Sequence, residues 1–122
     1  MTYQHKTQAE GAWNKLSLVE QMANVGSEVG RAINWREKRP EYATSCFYRS
    51  LELLSLTLAD PKNKGRLKEV ARAKELWTDF FFGENVYHSD AASFERYFYA
   101  FACAAQLRRR QARSHAMASE EG

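Results

Sequence analysis

The sequence predicts an all-α fold, an antiparallel up-and-down four-helix bundle, and three observations support this prediction. Apolar residues recur every three or four positions in four segments, which is the spacing of amphipathic helices. No segment shows the sustained alternation of apolar and polar residues that is typical of a strand. The connections between the four segments are short, and short connections favour antiparallel neighbours. The 122 residues suit one domain, which we expect over residues 12–113, between flexible ends at 1–11 and 114–122.

The first helix is expected from about Ala12 to Glu37. It contains Gly26 and Gly30, and each glycine costs roughly 1 kcal/mol relative to alanine inside a helix. Together with Ala23 they form a strip of small residues that lets another helix approach closely. That helix can belong to the same chain or to a second subunit, and the sequence leaves both alternatives open.

The second helix is expected over about Pro40 to Ala59, because proline suits the first turn of a helix. Its apolar residues occupy most of its circumference, so the helix must be covered on more than one side. Exposed apolar surface of that extent usually marks an interface. The sequence therefore predicts a homo-oligomer with the following interface residues: Gly26, Gly30, Phe47, Leu51, Leu54 and Leu58.

The third helix is expected over about Arg66 to Phe82, after the turn cluster DPKNKG. Gly83 is expected to cap its C-terminus in the manner of a terminal glycine. Ser89 or Asp90 is a natural N-cap for the fourth helix, which begins with aromatic residues and ends with basic ones.

The net charge of +3 is unevenly distributed along the chain. Residues 106–122 carry four arginines and two glutamates, whereas the first 105 residues carry 14 basic and 13 acidic side chains. A nearly neutral body is not the broad basic face of a dedicated duplex-DNA binder. The two cysteines, Cys46 and Cys103, have no CxxC spacing and are predicted to be buried free thiols. The first fifteen residues are polar and no long apolar run follows, so we expect no signal peptide, no membrane contact and a cytoplasmic location.

Charged residues on otherwise apolar helices are candidates for a site. Arg49 and Glu52 lie three residues apart on the second helix, and Glu28 lies on the first. These side chains can form a network of salt bridges, or they can line a pocket for a small ligand. The Glu-x-x-His pattern of di-iron bundles is absent from the sequence, so we expect no metal and no cofactor.

The end of the fourth helix carries four arginines in six residues: Arg108, Arg109, Arg110 and Arg113. Arginines hold phosphates with two hydrogen bonds each, so this run is a candidate nucleic-acid contact. Cations are also favoured at a helix C-terminus by the helix dipole, which is the alternative explanation. The helix is expected to fray after Arg113.

Arg110 and His115 have four residues between them, and this spacing resembles the motif of HEPN-domain ribonucleases. Those proteins are small helical bundles that pair to form an RNA-cleaving site. The resemblance implies acid–base catalysis by His115 and a hold on the scissile phosphate by Arg110.

A longer stretch, from LSLVEQMANVGSEV through LELLSLTLADPKNKGRLKEVARAKE, resembles an uncharacterised family of small prokaryotic four-helix-bundle proteins. The likeness covers about Trp13 to Gln106 and implies no activity. Such bundles, including those similar to the ribosomal-intervening-sequence proteins, often act as oligomeric adaptors to RNA or protein. The leading hypothesis is therefore a non-enzymatic interaction module, a homo-oligomeric helical bundle that contacts RNA or a protein partner. The alternative is a HEPN-like ribonuclease or toxin–antitoxin component.

Overall fold

The computed structural model describes the backbone of residues 9–121 and the side chains of residues 9–118, and within these residues the chain is helical and contains no strand. The prediction of an all-α fold is confirmed. A helical turn over residues 9–13 precedes the longer elements. These are α1 (Leu18–Trp35), α2 (Pro40–Ala59), a 3₁₀ helix (Pro61–Arg66), α3 (Leu67–Phe81) and α4 (Ala91–Glu121). Of the predicted N-terminal segment 1–11, residues 1–8 lie outside the described residues.

The start of α1 differs from the prediction, which joined this helix to the turn before it. Ser17 accepts a hydrogen bond from the Glu20 backbone N–H at 3.2 Å, and the Glu20 carboxylate accepts one from the Ser17 N–H at 3.3 Å. This reciprocal pair is a capping box, which satisfies backbone donors at a helix N-terminus. The helix therefore begins at Leu18 rather than near Ala12.

The end of α3 also differs from the prediction. Gly83 does not adopt a left-handed conformation; the residues that do are Asn85 and His88, with φ values of 55° and 52°. A Cβ at Gly83 would lie 2.8 Å from the carbonyl oxygen of Asp79, so close approach explains this glycine. The Asp79 carboxylate then accepts the backbone N–H of Val86 at 2.9 Å and holds the loop that leads to α4.

The fourth helix starts as predicted and ends later. The Asp90 carboxylate accepts the Ser93 backbone N–H at 2.8 Å and caps the first turn. The helix continues past Arg113 to Glu121 instead of fraying. The added residues include alanine, methionine and glutamate, which are good helix formers, and contain no glycine or proline before the last residue.

The helix α1 is central to the packing: it contacts both α2 and α4, and α2 contacts α3. An aromatic cluster joins the last three helices. Phe47 of α2 stacks on Phe81 of α3 with ring centroids 4.6 Å apart, and Trp77 meets Phe94 of α4 at 5.3 Å. The Trp77 indole N–H donates to the Ser50 hydroxyl at 2.9 Å, so the buried ring also has its polar atom satisfied.

The two predicted interface glycines have different environments. A Cβ at Gly26 would lie 2.7 Å from the Cβ of Phe98, so this glycine lets α1 and α4 of the same chain approach closely. At Gly30 nothing lies within 4 Å of an added Cβ. Packing inside the chain therefore explains Gly26 and leaves Gly30 without an explanation.

The apolar residues of α2 are largely covered within the chain. Phe47 and Leu54, which were predicted as interface residues, lie instead in the core with 1% and 0% exposure. Leu51 and Leu58 are half-buried and pack against that core. The 3₁₀ helix, α1 and α3 cover sides of α2 that the sequence pattern predicted to be exposed.

A buried polar network joins the start of α1 to the end of α2. The Gln21 side-chain amide donates to the Asp60 carboxylate at 2.8 Å and accepts from the Asn63 side chain at 2.8 Å. Asn63 also donates to the backbone carbonyl of Thr57 at 2.9 Å, and the Trp13 indole N–H donates to the Thr57 hydroxyl at 3.0 Å. Paired in this way, buried polar groups fix the relative position of the elements that carry them.

Asp60 carries the charge in this network. Burial raises the pKa of the Asp60 carboxyl, but hydrogen bonds from Lys62 and Gln21 outweigh burial and hold the pKa below its usual value. The folded state therefore binds this proton less readily than the unfolded chain does. The stability that Asp60 contributes is present above the unfolded pKa of about 4 and is lost as the pH falls through the lowered folded pKa.

We predict that Gly26→Ala and Gly30→Ala have opposite effects on stability. The new methyl group at position 26 meets the rigid Cβ of Phe98, so we expect a loss of about 1–3 kcal/mol in the free energy of unfolding. The new methyl at position 30 meets nothing, so helix propensity should stabilise the chain by up to about 1 kcal/mol. Urea unfolding followed by circular dichroism measures both; equal effects would contradict the packing of α1 on α4.

We also predict that Asp60→Asn removes part of the acid sensitivity of the fold. The difference in stability between the wild type and this variant should be constant above about pH 5 and should narrow below about pH 4. Urea unfolding at a series of pH values tests this. Glu84→Gln, at an exposed loop position, is the control and should leave the slope against pH unchanged. A gap that stays constant down to pH 2 would contradict the lowered pKa of Asp60.

Candidate functional site

The arginine-rich part of α4 extends beyond the rest of the bundle. Ala105 is the last buried residue among the side chains of this helix that the structure describes, and those from Gln106 to Ala118 are exposed. Next to this point, Arg109 shares a shallow groove with Glu20 and other residues near the start of α1. Since α1 begins at Leu18, no helix of the described chain continues beside α4 after this level. The helix from Arg108 to its end is about 20 Å long.

The four arginines surround this extended helix rather than forming one row. At 100° per residue, Arg109 and Arg113 lie on the same side one turn apart, and Arg110 lies about 60° from Arg113. Arg108 lies about 100° from Arg109. None of the ion pairs among the described residues involves these guanidinium groups. No acidic residue occurs between Gln106 and Ala118, so the segment presents positive charge to solvent in several directions.

Arg110 and His115 are not brought together within the chain. Positions five apart on a continuous helix differ by about 140° around its axis, so the two side chains leave the helix on different sides. Both side chains are exposed, and no other element of the described chain covers them. His115, which was predicted to lie in a flexible tail, is part of the helix. Within one subunit, the His115 imidazole is therefore not placed beside the Arg110 guanidinium group, as acid–base cleavage of a phosphate held by Arg110 would require.

Glu28, Arg49 and Glu52 line one open groove between α1 and α2, as the sequence suggested. The Glu28 carboxylate is 14% exposed and accepts from Arg31 at 3.0 Å, and Arg49 approaches the same oxygen at 3.4 Å. The groove holds about 740 Å³ and is lined in part by Tyr48. Because two guanidinium groups already neutralise the carboxylate, the geometry is that of a salt-bridge network at the surface.

A second cleft, between α3 and α4, did not emerge from the sequence. It holds about 290 Å³ and its wall is mostly apolar, with Leu76, Phe94 and the ring of Tyr97. The Tyr97 hydroxyl donates to the Glu69 carboxylate at 3.1 Å. Burial and the nearby carboxylate raise the pKa of Tyr97 far above its usual value, so this phenol stays protonated. Glu69 is also paired with Arg66 at 2.5 Å, and Arg72, which lines the same cleft, is paired with Glu75 at 3.8 Å.

The two cysteines differ in exposure. Cys46 is buried, as predicted, whereas Cys103 is exposed on the outer side of α4. Cys103 was expected to be buried because its neighbours are mostly small and apolar. The helix turns it away from the core, since the inward positions are taken by Phe98 and Ala105.

Among the described residues, no three His, Cys, Asp or Glu side chains cluster in a way that would hold a metal ion. No helix within residues 9–121 combines the length and the apolar character that crossing a bilayer requires. No family model matches the chain, and comparisons with curated proteins and with solved structures find no significant match.

Proposed function

We propose that the chain is a non-enzymatic RNA-binding adaptor, in which a small helical bundle presents the arginine-rich end of α4 to the phosphates of RNA. The observation that carries this proposal is the exposed helix itself. It holds four arginines within six residues, on a segment that extends past the bundle and that pairs with no acidic group of the described chain.

The proposal includes an antiparallel up-and-down arrangement of α1–α4. Contacts between successive helices support it, because later residues of one helix meet earlier residues of the next. The supporting contacts are Glu28–Arg49 and Trp35–Tyr42 for α1 and α2, Phe47–Phe81 and Ser55–Lys74 for α2 and α3, and Phe80–Phe94 and Glu69–Tyr97 for α3 and α4. This arrangement places the free end of α4 at the same end of the bundle as the start of α1.

Three features favour RNA as the partner. Guanidinium groups bind phosphate oxygens with two hydrogen bonds and stay charged at every physiological pH. Arginine-rich segments are a recurring means of RNA recognition. The body of the chain is nearly neutral and has no broad basic face, which argues against a binding surface for duplex DNA.

A non-enzymatic role fits the site better than catalysis. Cleavage of RNA needs an acid–base group within reach of the scissile phosphate, and Arg110 and His115 lie about 140° apart around the helix. The helix therefore offers phosphate contacts in several directions and no assembled catalytic pair in one subunit. Binding without turnover is the expected behaviour of such a surface.

The test is binding of a labelled RNA hairpin, followed by fluorescence anisotropy at several salt concentrations. We predict that Arg108→Ala with Arg109→Ala weakens binding about tenfold or more at low salt, and that the slope of log affinity against log salt falls by about 1–2. Lys64→Ala with Lys68→Ala is the matched control. It also removes two exposed positive charges, one from the 3₁₀ helix and one from the start of α3, and it should change affinity little.

Two results would contradict the proposal. Equal losses in the arginine variant and in the lysine control would mean that net charge, and not the helix, governs binding. RNA cleavage that disappears in both Arg110→Ala and His115→Ala would mean that the chain is a ribonuclease of the HEPN type.

A further inference from the structure

The outward side of α4 carries a row of exposed residues, three of which also line a groove that α4 shares with α1. We name this row the outer stripe; it consists of Glu95, Tyr99, Ala102, Cys103, Gln106 and Arg110. Its members recur at steps of three and four residues and therefore share one side of the helix. Tyr99, near its middle, is 70% exposed, which is unusual for a large aromatic side chain on a packed helix.

The two ends of the outer stripe carry opposite charges. Glu95 begins it and Arg110 ends it, fifteen positions later along the helix. This separation is about 22 Å, so the two groups do not pair with each other within one chain. Neither takes part in an ion pair among the described residues.

The order of residues along the outer stripe complements itself when it is reversed. Glu95 and Arg110, Tyr99 and Gln106, and Ala102 and Cys103 lie at equal distances on either side of one midpoint. A second helix of the same sequence, laid antiparallel across this midpoint, therefore places each Glu95 opposite an Arg110. A parallel copy would instead place like charges side by side.

We propose that a second copy of this chain binds the outer stripe, forming a homodimer whose two α4 helices run antiparallel about a twofold axis between Ala102 and Cys103. The dimer makes two equivalent ion pairs, from Glu95 of each protomer to the basic end of the other. Such an interface is isologous, because both copies use the same surface.

The surface beside the outer stripe has room for a second helix. At the centre, alanine and cysteine are small and permit close approach of two backbones. Next to them, α1 and α4 enclose an apolar groove of about 240 Å³, which Gly30 lines. A Cβ added at Gly30 would have nothing within 4 Å. A role in this interface accounts for Gly30, which packing within one chain leaves unexplained.

The antiparallel pairing also covers part of the exposed end of α4. Residues 106–110 of one copy lie beside residues 95–99 of the other. Gln106 and Arg110, the two members of the outer stripe on the extended end, therefore each gain a neighbour. Arg108 lies about 160° from Arg110 around the helix, whereas Arg109 lies about 20° from Ala102 and lines a groove with it. The dimer is tested in the absence of RNA, so a failure of the dimer can be distinguished from a failure of RNA binding.

A charge exchange tests the dimer in the absence of RNA, by sedimentation velocity over a range of protein concentrations. We expect the wild type to be dimeric at high concentration. Glu95→Arg alone, and Arg110→Glu alone, each place like charges together twice per dimer and should weaken association tenfold or more. The double exchange, Glu95→Arg with Arg110→Glu, restores opposite charges and should restore the dimer. Glu84→Arg, the same change at an exposed position on the loop before α4, should have no effect.

Cys103 provides a second readout that reports the register. It is exposed whereas Cys46 is buried, so a short bifunctional thiol reagent should link two chains through Cys103. Linked dimer should form in the wild type, should be lost in Glu95→Arg, and should be absent in Cys103→Ser. A wild type that stays monomeric at several hundred micromolar would overturn the proposal. So would a double exchange that stays dissociated while its circular dichroism shows a folded helical protein.

Discussion

The close contact of Gly26 with Phe98 sets how α1 and α4 lie against each other, and much of the molecule follows from it. Only a glycine allows the two backbones to come this near, because the Cβ of Phe98 occupies the space that a side chain would need. This contact fixes the level of α4 along α1. Since α1 starts at Leu18 with a tight capping box, α4 passes beyond it after about Arg109. The length of helix that is free to meet a partner is thus decided inside the bundle.

The buried polar network holds in place the end of the bundle at which α1 starts and α2 ends. Gln21 joins Asp60 and Asn63, and Trp13 closes the network over Thr57. A buried amide with every hydrogen bond made tolerates little displacement, because each lost partner costs about 1–3 kcal/mol. The start of α1 and the turn after α2 are therefore held together, and α4 lies beside the start of α1 at Arg109. A rigid base and an exposed charged helix are what a phosphate-binding adaptor needs, since the arginines then lose little freedom apart from their own side-chain rotamers.

The helices themselves could be predicted from the sequence, whereas their surfaces could not. Apolar spacing placed α2 at Pro40–Ala59 without error, because proline and the DPKNKG turn bound it on both sides. The same spacing led to the prediction of an interface on α2. Apolar spacing identifies which residues avoid water, but it does not identify the element that covers those residues. Phe47 and Leu54 are covered by the chain's own helices. The break before Leu18 was readable from Ser17 and Glu20 as a capping box. The outer stripe could not be recognised from the sequence in this way, because its exposure depends on which side of α4 faces the core.

The proposed contact between the extended end of α4 and RNA can be tested residue by residue. Backbone amide spectra of the ¹⁵N-labelled protein, recorded with and without an RNA hairpin, test it most directly. The account predicts helical chemical shifts through residues 106–118 in the free protein. We also predict that the largest changes on adding RNA fall within residues 108–113, which hold the four arginines. Random-coil shifts over that segment, or changes concentrated in the groove around Glu28, would contradict it.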